Sequence, residues 1–181
     1  MSTQTRLMTA DEFLEMLDDG LLHELIRGEV VTMSLPGGLH GKISLEFGRL
    51  IANHVKPLKL GAVFAAETGF LIERDPDTVR GADVAFVRAE RLTEITEKHV
   101  PFAPDLAVEV LSAHDRHDEA EAKVQEWLAA GSRMVWTVDP TEQTVTIYRP
   151  GAEPITLTAD QDLDGGDVLP GFVCRVALFF V

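Results

Sequence analysis

The sequence predicts a mixed α/β (α+β) fold, in which helices flank a central mixed β-sheet and a helix and a hairpin stand at the N-terminus. Hydrophobic residues make up 45% of the 181 residues, and the mean hydropathy is +0.05, as in folded globular chains. Patterns of helical and strand period follow one another in the order helix, strands, helix, strand. Because no repeat, low-complexity tract or linker interrupts them, we expect a single domain over residues 1–181.

Three segments have the sequence signals of helices. Thr9 and Glu12 form a capping box, T-x-x-E, which opens the first of them. Apolar residues recur at helical spacing after the loop SLPGG, and Pro57 is expected to end that second helix. A third apolar stripe follows in the C-terminal half. The predicted helices cover residues 10–17, 39–54 and 115–130.

Short apolar runs predict the strands. The turn Arg27-Gly28 and the segment DPTEQ each separate two such runs, which predicts two hairpins. The segment RDPDTVRG is expected to be a polar loop, and the tail VALFFV a buried terminal element. The predicted strands occupy residues 22–26, 29–33, 62–66, 70–73, 83–87, 105–111, 134–138, 144–148 and 155–158.

Charge and cysteine content exclude several classes of protein. The formal net charge is -14, from 16 basic and 30 acidic residues, which argues against a broad surface that coats nucleic acid. Cys174 is the only cysteine, so no internal disulfide can form, and we expect a reducing, cytoplasmic location. The N-terminal segment lacks the apolar core of a signal peptide, and no run approaches the ~20 apolar residues of a membrane span.

The strand at 105–111 and the helix after it contain an unusual pair of charges. Strand alternation points Glu109 away from Val108 but keeps it inside an apolar run, where a carboxylate requires a cation, a hydrogen-bond network or a metal. Lys123 lies on the margin of the following helix's apolar stripe, one turn before Trp127, so its ammonium can reach the sheet. From this stretch alone, a metal-and-cation site and a buried ion pair that only fixes packing both stay open.

A second carboxylate, Asp83, opens the strand at 83–87. If this strand lies beside the strand at 105–111, Asp83 and Glu109 converge, and their repulsion favours a cation between them. Mg²⁺ binds one or two carboxylates together with phosphate and water, and Lys123 could then stabilise charge on a water or phosphate oxygen. Taken alone, Asp83 is equally explained as a turn residue.

Seven segments together match a known family pattern. They are HELIRGEVVTMS, LHGKISLEFGRL, VFAAETGFLIERDPDTVRGADVAFV, PDLAVEVLS, KVQEWLAAGSRMVWTVDP, VTIYRPG and DVLPGF. Through them nearly the whole chain resembles the PD-(D/E)XK nuclease superfamily and, within it, the Uma-two family of restriction-endonuclease-like proteins. The resemblance implies a restriction-endonuclease-like core, Asp83 and Glu109 as metal ligands, and Lys123 as the catalytic lysine.

The chain departs from the superfamily pattern at two positions. Ala82 stands where the motif usually has proline before its aspartate, which changes backbone stiffness and leaves the ligand in place. Leu111 stands where the lysine usually lies, two residues after the glutamate. The Uma-two pattern instead places its lysine on the following helix, which matches Lys123.

Glu24 and His40 also match family positions. The Glu24 side chain points either inward, as a further buried acid, or toward solvent, as a hairpin residue. The surrounding sequence favours neither alternative. His40 begins a helix on its apolar face, where the helix N-terminus would favour a nearby phosphate. A capped or packed histidine explains His40 better than a catalytic role.

Two acidic clusters imitate metal sites. The cluster HDRHD, with His114, Asp115, His117 and Asp118, opens a helix, where acids answer the helix dipole and the further ligands of a zinc site are missing. The segment DQDLDGGD fits the first half of a calcium loop with Asp160, Asp162, Asp164 and Gly165. Its twelfth position is Gly171 in place of the bidentate glutamate, so we interpret the segment as an acidic surface turn.

The sequence therefore leads to two functional hypotheses. The first is a Mg²⁺- or Mn²⁺-dependent endonuclease that hydrolyses DNA phosphodiester bonds, with Asp83, Glu109 and a backbone carbonyl near Val110 as metal ligands. The second is a non-catalytic nucleic-acid- or protein-binding module that keeps the nuclease fold; the negative net charge favours it. A homodimer is a further expectation, because nucleases that cut both strands often pair.

Overall fold

The described part of the chain forms three sheets, three α-helices and two 3₁₀ helices, Ala89–Arg91 and Val176–Phe179. The computed structural model describes residues 6–17, 19–112 and 117–181. The helices are α1 (Ala10–Leu14), α2 (Gly38–Leu58) and α3 (His117–Ala129). The strands are β1 (Leu22–Ile26), β2 (Glu29–Met33), β3 (Gly61–Ala65), β4 (Phe70–Glu73), β5 (Thr78–Arg80), β6 (Val84–Arg88), β7 (Leu106–Val110), β8 (Met134–Asp139), β9 (Thr144–Tyr148), β10 (Ile155–Leu157), β11 (Asp162–Asp164) and β12 (Val173–Arg175).

The central sheet has six strands in the order β10-β9-β8-β7-β6-β3. β7 and β8 are parallel and are joined through α3, whereas the other neighbours are antiparallel. A crossover helix is what a parallel pair requires. β6 pairs with β7 in the register Val84↔Val108, so the two strands that carry the predicted acids are neighbours. This mixed sheet with flanking helices confirms the predicted fold class.

The two faces of the central sheet carry separate hydrophobic cores. On one face, α2 buries Phe47 and Ile51 against Val108 and Trp136, and Phe47 stacks on Phe179 with ring centroids 3.7 Å apart. Phe179 belongs to the C-terminal segment that was predicted to be buried. On the other face, Val124 and Trp127 of α3 form a second core with buried residues of the sheet, which include Ala85, Ala107 and Val135. Strand alternation in β7 therefore serves both cores, as its sequence predicts.

A smaller antiparallel sheet, in the order β2-β1-β5-β4, contains the N-terminal hairpin. The bounds of β1 and β2 agree with the predicted hairpin, and both turn residues, Arg27 and Gly28, have positive φ, at 50° and 79°. The prediction of a polar loop at RDPDTVRG was wrong, because β5 lies inside it. Thr78 and Val79 are buried, and Val79 pairs with Leu25. Burial and pairing of these β-branched residues therefore produce a strand, although the residues on either side of it are polar.

Two predicted helix ends were also wrong. Pro57 lies inside α2, which continues to Leu58 and ends at Lys59 in the left-handed conformation (φ 53°). Proline has a helical φ, and only Leu58 follows it in the helix, so its missing N–H removes one hydrogen bond without disrupting a further turn. The capping box of α1 is present, yet α1 ends at Leu14, because Leu17 is 88% exposed and buries nothing that would extend the helix. In the described ranges, no helix is both long and apolar enough to cross a membrane.

Replacement of Gly61 tests the pairing of β3 with β6. A Cβ atom at this position would lie 2.0 Å from the carbonyl oxygen of Val87 and 2.9 Å from the Cα atom of Arg88, so Gly61→Ala has to separate the strands. We expect it to lower the free energy of unfolding by about 3 kcal/mol. Gly41→Ala, in α2 with nothing within 4 Å of the new Cβ, should raise it by about 0.5 kcal/mol. Urea denaturation that gives the two variants equal stability would contradict this account.

Candidate metal centre

Pairing of β6 with β7 brings Asp83 and Glu109 to the same end of the central sheet. Asp83 directly precedes β6, and Glu109 is the penultimate residue of β7. The backbone N–H of Val110 donates to Oδ2 of Asp83 at 2.7 Å. This hydrogen bond ties the Asp83 carboxylate to the strand that carries Glu109, so the two acids converge as predicted.

His40 reaches Asp83 from the first turn of α2. Its Nε2 atom lies 3.2 Å from Oδ2 of Asp83. Its Nδ1 atom lies 3.4 Å from the hydroxyl of Ser44, which donates to the carbonyl oxygen of His40 at 2.9 Å. His40 therefore contacts the predicted site instead of only capping the helix.

Glu109 faces α3, which supplies both of its side-chain partners. The indole N–H of Trp127 donates to Oε1 at 2.7 Å, and the ammonium of Lys123 donates to Oε2 at 3.0 Å. The Glu109 side chain is only 13% exposed. Burial raises its pKa to about 7, and the negative charge of Asp83 acts in the same direction, while Lys123 and Trp127 oppose the shift only in part.

Lys123 lies where its position on the margin of the helix stripe predicted. Its ammonium donates to the carbonyl oxygen of Gly81 at 2.9 Å and to Glu109, and lies 3.5 Å from Oε1 of Glu24. Burial acts to lower the pKa of Lys123, but the carboxylates of Glu109 and Glu24 outweigh it and hold the pKa above its usual value. The Lys123 ammonium is thus a charged donor that contacts both Glu109 and Glu24.

Glu24 is an inward acid, which resolves the alternatives that its sequence left open. It is 6% exposed and accepts the backbone N–H of Gly81 at 3.0 Å. Arg80 donates to its other oxygen at 2.7 Å and, through Nε and Nη2, to Glu126 at 2.9 and 2.6 Å. Burial opposes ionisation of Glu24, yet Lys123 and Arg80 lower its pKa. The small sheet and α3 are therefore tied together beside Lys123.

Arg80, Glu126 and Trp127 are the site residues that sequence reasoning missed. Arg80 fell in the segment interpreted as a loop, and Trp127 was assigned only to the apolar stripe. The alternation within TVR, where Val79 is buried beside Arg80, was the available signal for a strand there. For Trp127, a buried indole requires an acceptor for its N–H, and Glu109, the inward acid of the preceding strand, was the candidate.

The sequence indicates that the two acidic clusters only imitate metal sites. Of the HDRHD cluster, His114, Asp115 and the side chain of His117 lie outside the described residues, and Asp118 is exposed. In the segment DQDLDGGD, residues 162–164 form β11, which pairs with β12, so the expectation of a surface turn was wrong for these three residues and holds for Asp160 before them and for Gly166 and Asp167 after them. The Oδ1 atom of Asp164 accepts the N–H of Gly166 at 2.7 Å, a local contact that explains this acid.

Asp83 and Glu109 have the chemistry that a hard divalent cation requires. Both offer carboxylate oxygens, and a cation between them would relieve the burial and repulsion that raise the pKa of Glu109. Over the ranges that the structure covers, no group of three or more His, Cys, Asp or Glu residues is arranged to hold a metal. Mg²⁺ usually completes its coordination with backbone carbonyls, water or substrate oxygens.

Comparison with known proteins supports this interpretation of the fold. The model of the Uma2 family, described as "Putative restriction endonuclease", matches residues 10–177. A solved structure described as "a putative nuclease belonging to DUF820 from Anabaena variabilis ATCC 29413" is similar over 96% of this chain and 97% of its own, with 25% identity and a TM-score of 0.81. None of the curated proteins matches the chain.

Replacement of Glu109 by Gln tests how its buried charge affects stability. Because the pKa of Glu109 is about 7 in the folded protein and about 4.5 when unfolded, the folded state alone binds this proton between those values. The contribution of Glu109 to stability therefore falls as pH rises from 4.5 to 7, by about 3 kcal/mol in total. We expect Glu109→Gln to match the wild type at pH 5 and to exceed it at pH 8, in denaturation experiments with EDTA.

The opposite result has an equally clear meaning. If Glu109→Gln is less stable than the wild type at pH 8, the ion pair with Lys123 stabilises the fold, and the purely structural interpretation of the pair is correct. Lys98→Gln provides the control, because Lys98 is exposed and its replacement should leave the pH dependence of stability unchanged.

Proposed function

This chain belongs to the Uma2 family of restriction-endonuclease-like proteins, and on that premise we propose that it is a Mg²⁺- or Mn²⁺-dependent endonuclease that hydrolyses DNA phosphodiester bonds. The observation that carries the proposal is the convergence of Asp83, Glu109 and Lys123 at one end of the central sheet. A nuclease acts on nucleic acid; the choice of DNA and of a divalent metal belongs to the proposal.

The charges of the cluster support a divalent cation. Its members are the carboxylates of Asp83, Glu109, Glu24 and Glu126 and the cationic side chains Lys123 and Arg80. With every group ionised, four negative charges face two positive ones. A cation of charge two balances them, whereas a monovalent cation would leave an uncompensated charge in a partly buried site.

Each residue of the cluster has a role that follows from its contacts. The Val110 N–H and His40 orient Asp83, and the Trp127 indole orients Glu109, so both carboxylates are preorganised as ligands. The metal, when bound, lowers the pKa of a water molecule and neutralises phosphate charge. The Lys123 ammonium, anchored by a backbone carbonyl, can turn from Glu109 to a phosphate oxygen and stabilise the charge that develops there.

One observation favours the non-catalytic alternative. The Lys123 ammonium already forms an ion pair with Glu109 at 3.0 Å, a contact that would also be found in a site that only stabilises the fold. A binding module of this kind would need neither metal nor cleavage. The following two experiments separate these possibilities, and a cytoplasmic location and a homodimer remain predictions.

Metal binding is the first test. We expect calorimetric titration to detect one Mn²⁺ site in the wild type that Asp83→Asn and Glu109→Gln each weaken at least tenfold, because each removes a charged ligand. Asp160→Asn is the matched control, since Asp160 is an exposed acid outside the cluster, and it should bind as the wild type does. Equal binding by all four proteins would exclude the proposed metal site.

Cleavage is the second test. Lys123→Ala should lose cleavage of plasmid DNA and labelled single strands at least a hundredfold, yet bind Mn²⁺ within a small factor of the wild type, because Lys123 stabilises charge and does not ligate the ion. Lys123→Arg should restore little, because a planar guanidinium does not replace a compact ammonium.

The exposed Lys98→Ala serves as the control and should cleave normally. If Lys123→Ala cleaves as fast as the wild type, the role assigned to Lys123 is wrong. If the wild type binds Mn²⁺ and cleaves neither substrate in Mg²⁺ or Mn²⁺, the non-catalytic alternative is favoured.

A further inference from the structure

A line of positive charge runs along the outer face of α2. Lys42, Arg49 and Lys56 are exposed, and their spacing of seven residues keeps them within about 40° of one another around the helix axis. We call these three residues the α2 basic stripe. The buried residues of α2 lie on the opposite side of the helix, and they are Ile43, Phe47, Ile51 and Val55.

This stripe stands out against the charge of the whole chain. Of the 16 Lys and Arg residues, four lie between positions 42 and 59, together with only one of the 30 acidic residues, Glu46. The formal net charge is -14, so solubility does not require cations here. An outer helix face that only contacted water would be expected to follow the acidic composition of the rest.

The stripe begins at the same end of α2 as the candidate metal centre, on the opposite side of the helix, because two residues turn a helix by about 200°. Lys42 follows His40 by two residues, and His40 lies 3.2 Å from Asp83. At 1.5 Å per residue, the distance from Lys42 to Lys56 along the helix is about 21 Å, which corresponds to about six successive phosphates on one strand of duplex DNA. A nucleic-acid backbone that lies along the stripe would therefore approach the site at one end.

We propose that the outer face of α2 binds the phosphate backbone of DNA through Lys42, Arg49 and Lys56 and directs it to the site at the start of the helix. The choice of DNA rests on the proposed function, and the charge complementarity of the stripe supports it. Backbone binding of this type carries no sequence information and weakens steeply with salt.

Glu46 gives the proposal a second, opposite consequence. Its Oε2 atom accepts hydrogen bonds from Nε and Nη2 of Arg49 at 3.0 and 2.6 Å. The hydrogen bond with Arg49 lowers the pKa of Glu46, and the positive charge of Lys42 acts in the same direction. Glu46 therefore competes with phosphate for both cations. Glu46→Gln should bind DNA more tightly than the wild type.

The test measures affinity for a labelled 20-base-pair duplex in EDTA, which prevents metal-dependent cleavage, between 50 and 200 mM KCl. Each lost phosphate contact reduces the slope of log K against log salt by about 0.9. For the variant Lys42→Gln/Arg49→Gln/Lys56→Gln, the magnitude of the slope should therefore be smaller than that of the wild type by about 2.7. The ratio of wild-type affinity to variant affinity then falls about 40-fold across this range of KCl concentration.

The control variant has the same net charge. Arg74→Gln/Lys98→Gln/Arg175→Gln removes three exposed cations elsewhere, two of which have acidic partners, Asp77 and Asp162, as Arg49 has Glu46. The slope of this control variant should differ from the wild-type slope by no more than about 0.9, the effect of one phosphate contact. Circular dichroism verifies the fold, and single variants at 42 and 56 should each remove about 0.9 from the slope.

Three results would overturn the proposal: a wild type that binds no duplex, equal slopes for the stripe variant and the wild type, or equal losses in the stripe and control variants. Binding to phosphatidylglycerol vesicles without binding to DNA would also overturn it and identify a membrane surface. Cleavage is measured separately. If the wild type binds DNA through the stripe but never cleaves it, only the nuclease proposal is contradicted. If the wild type cleaves DNA and the stripe variant keeps the wild-type salt dependence of binding, only the proposal for the α2 basic stripe is contradicted.

Discussion

The negative charge of Glu109, buried at the end of a central strand, is the constraint on which the rest of the site depends. A carboxylate in this position costs free energy unless its oxygens have partners, and α3 supplies them from two positions four residues apart, Lys123 and Trp127. The helix must therefore dock with this face toward the sheet. Val124, which lies between them in sequence, is fully buried in the same interface, so packing and charge compensation fix one orientation.

The small sheet completes the surroundings of Lys123. Glu24 comes from β1 and Arg80 from β5, and the Gly81 backbone meets both Glu24 and Lys123. Residues distant in sequence thus converge on one ammonium group, and the N-terminal hairpin becomes part of the site. The hairpin does so through a single inward acid, while its outer strand β2 remains exposed along its whole length.

The sequence predicts the alternating faces of β7 and the inward direction of Lys123, because strand and helix periodicity are local properties. Pairing of β6 with β7 was only a condition of the predicted convergence of the acids, because periodicity alone does not specify which strands are neighbours. β5 was missed because burial by distant partners, such as Leu25 for Val79, outweighs a polar local sequence. The indole bond to Glu109 was missed because helix periodicity places Trp127 in the apolar stripe without specifying which acceptor its N–H meets.

One strand, β7, forms part of both hydrophobic cores. Val108 packs toward α2 and Ala107 toward α3, so the loss of either core removes the support of the other. The two cores should therefore unfold in one cooperative transition, without an intermediate that keeps only one of them. The two tryptophans lie on opposite faces, with Trp136 in one core and Trp127 in the other, and their fluorescence should change at the same denaturant concentration.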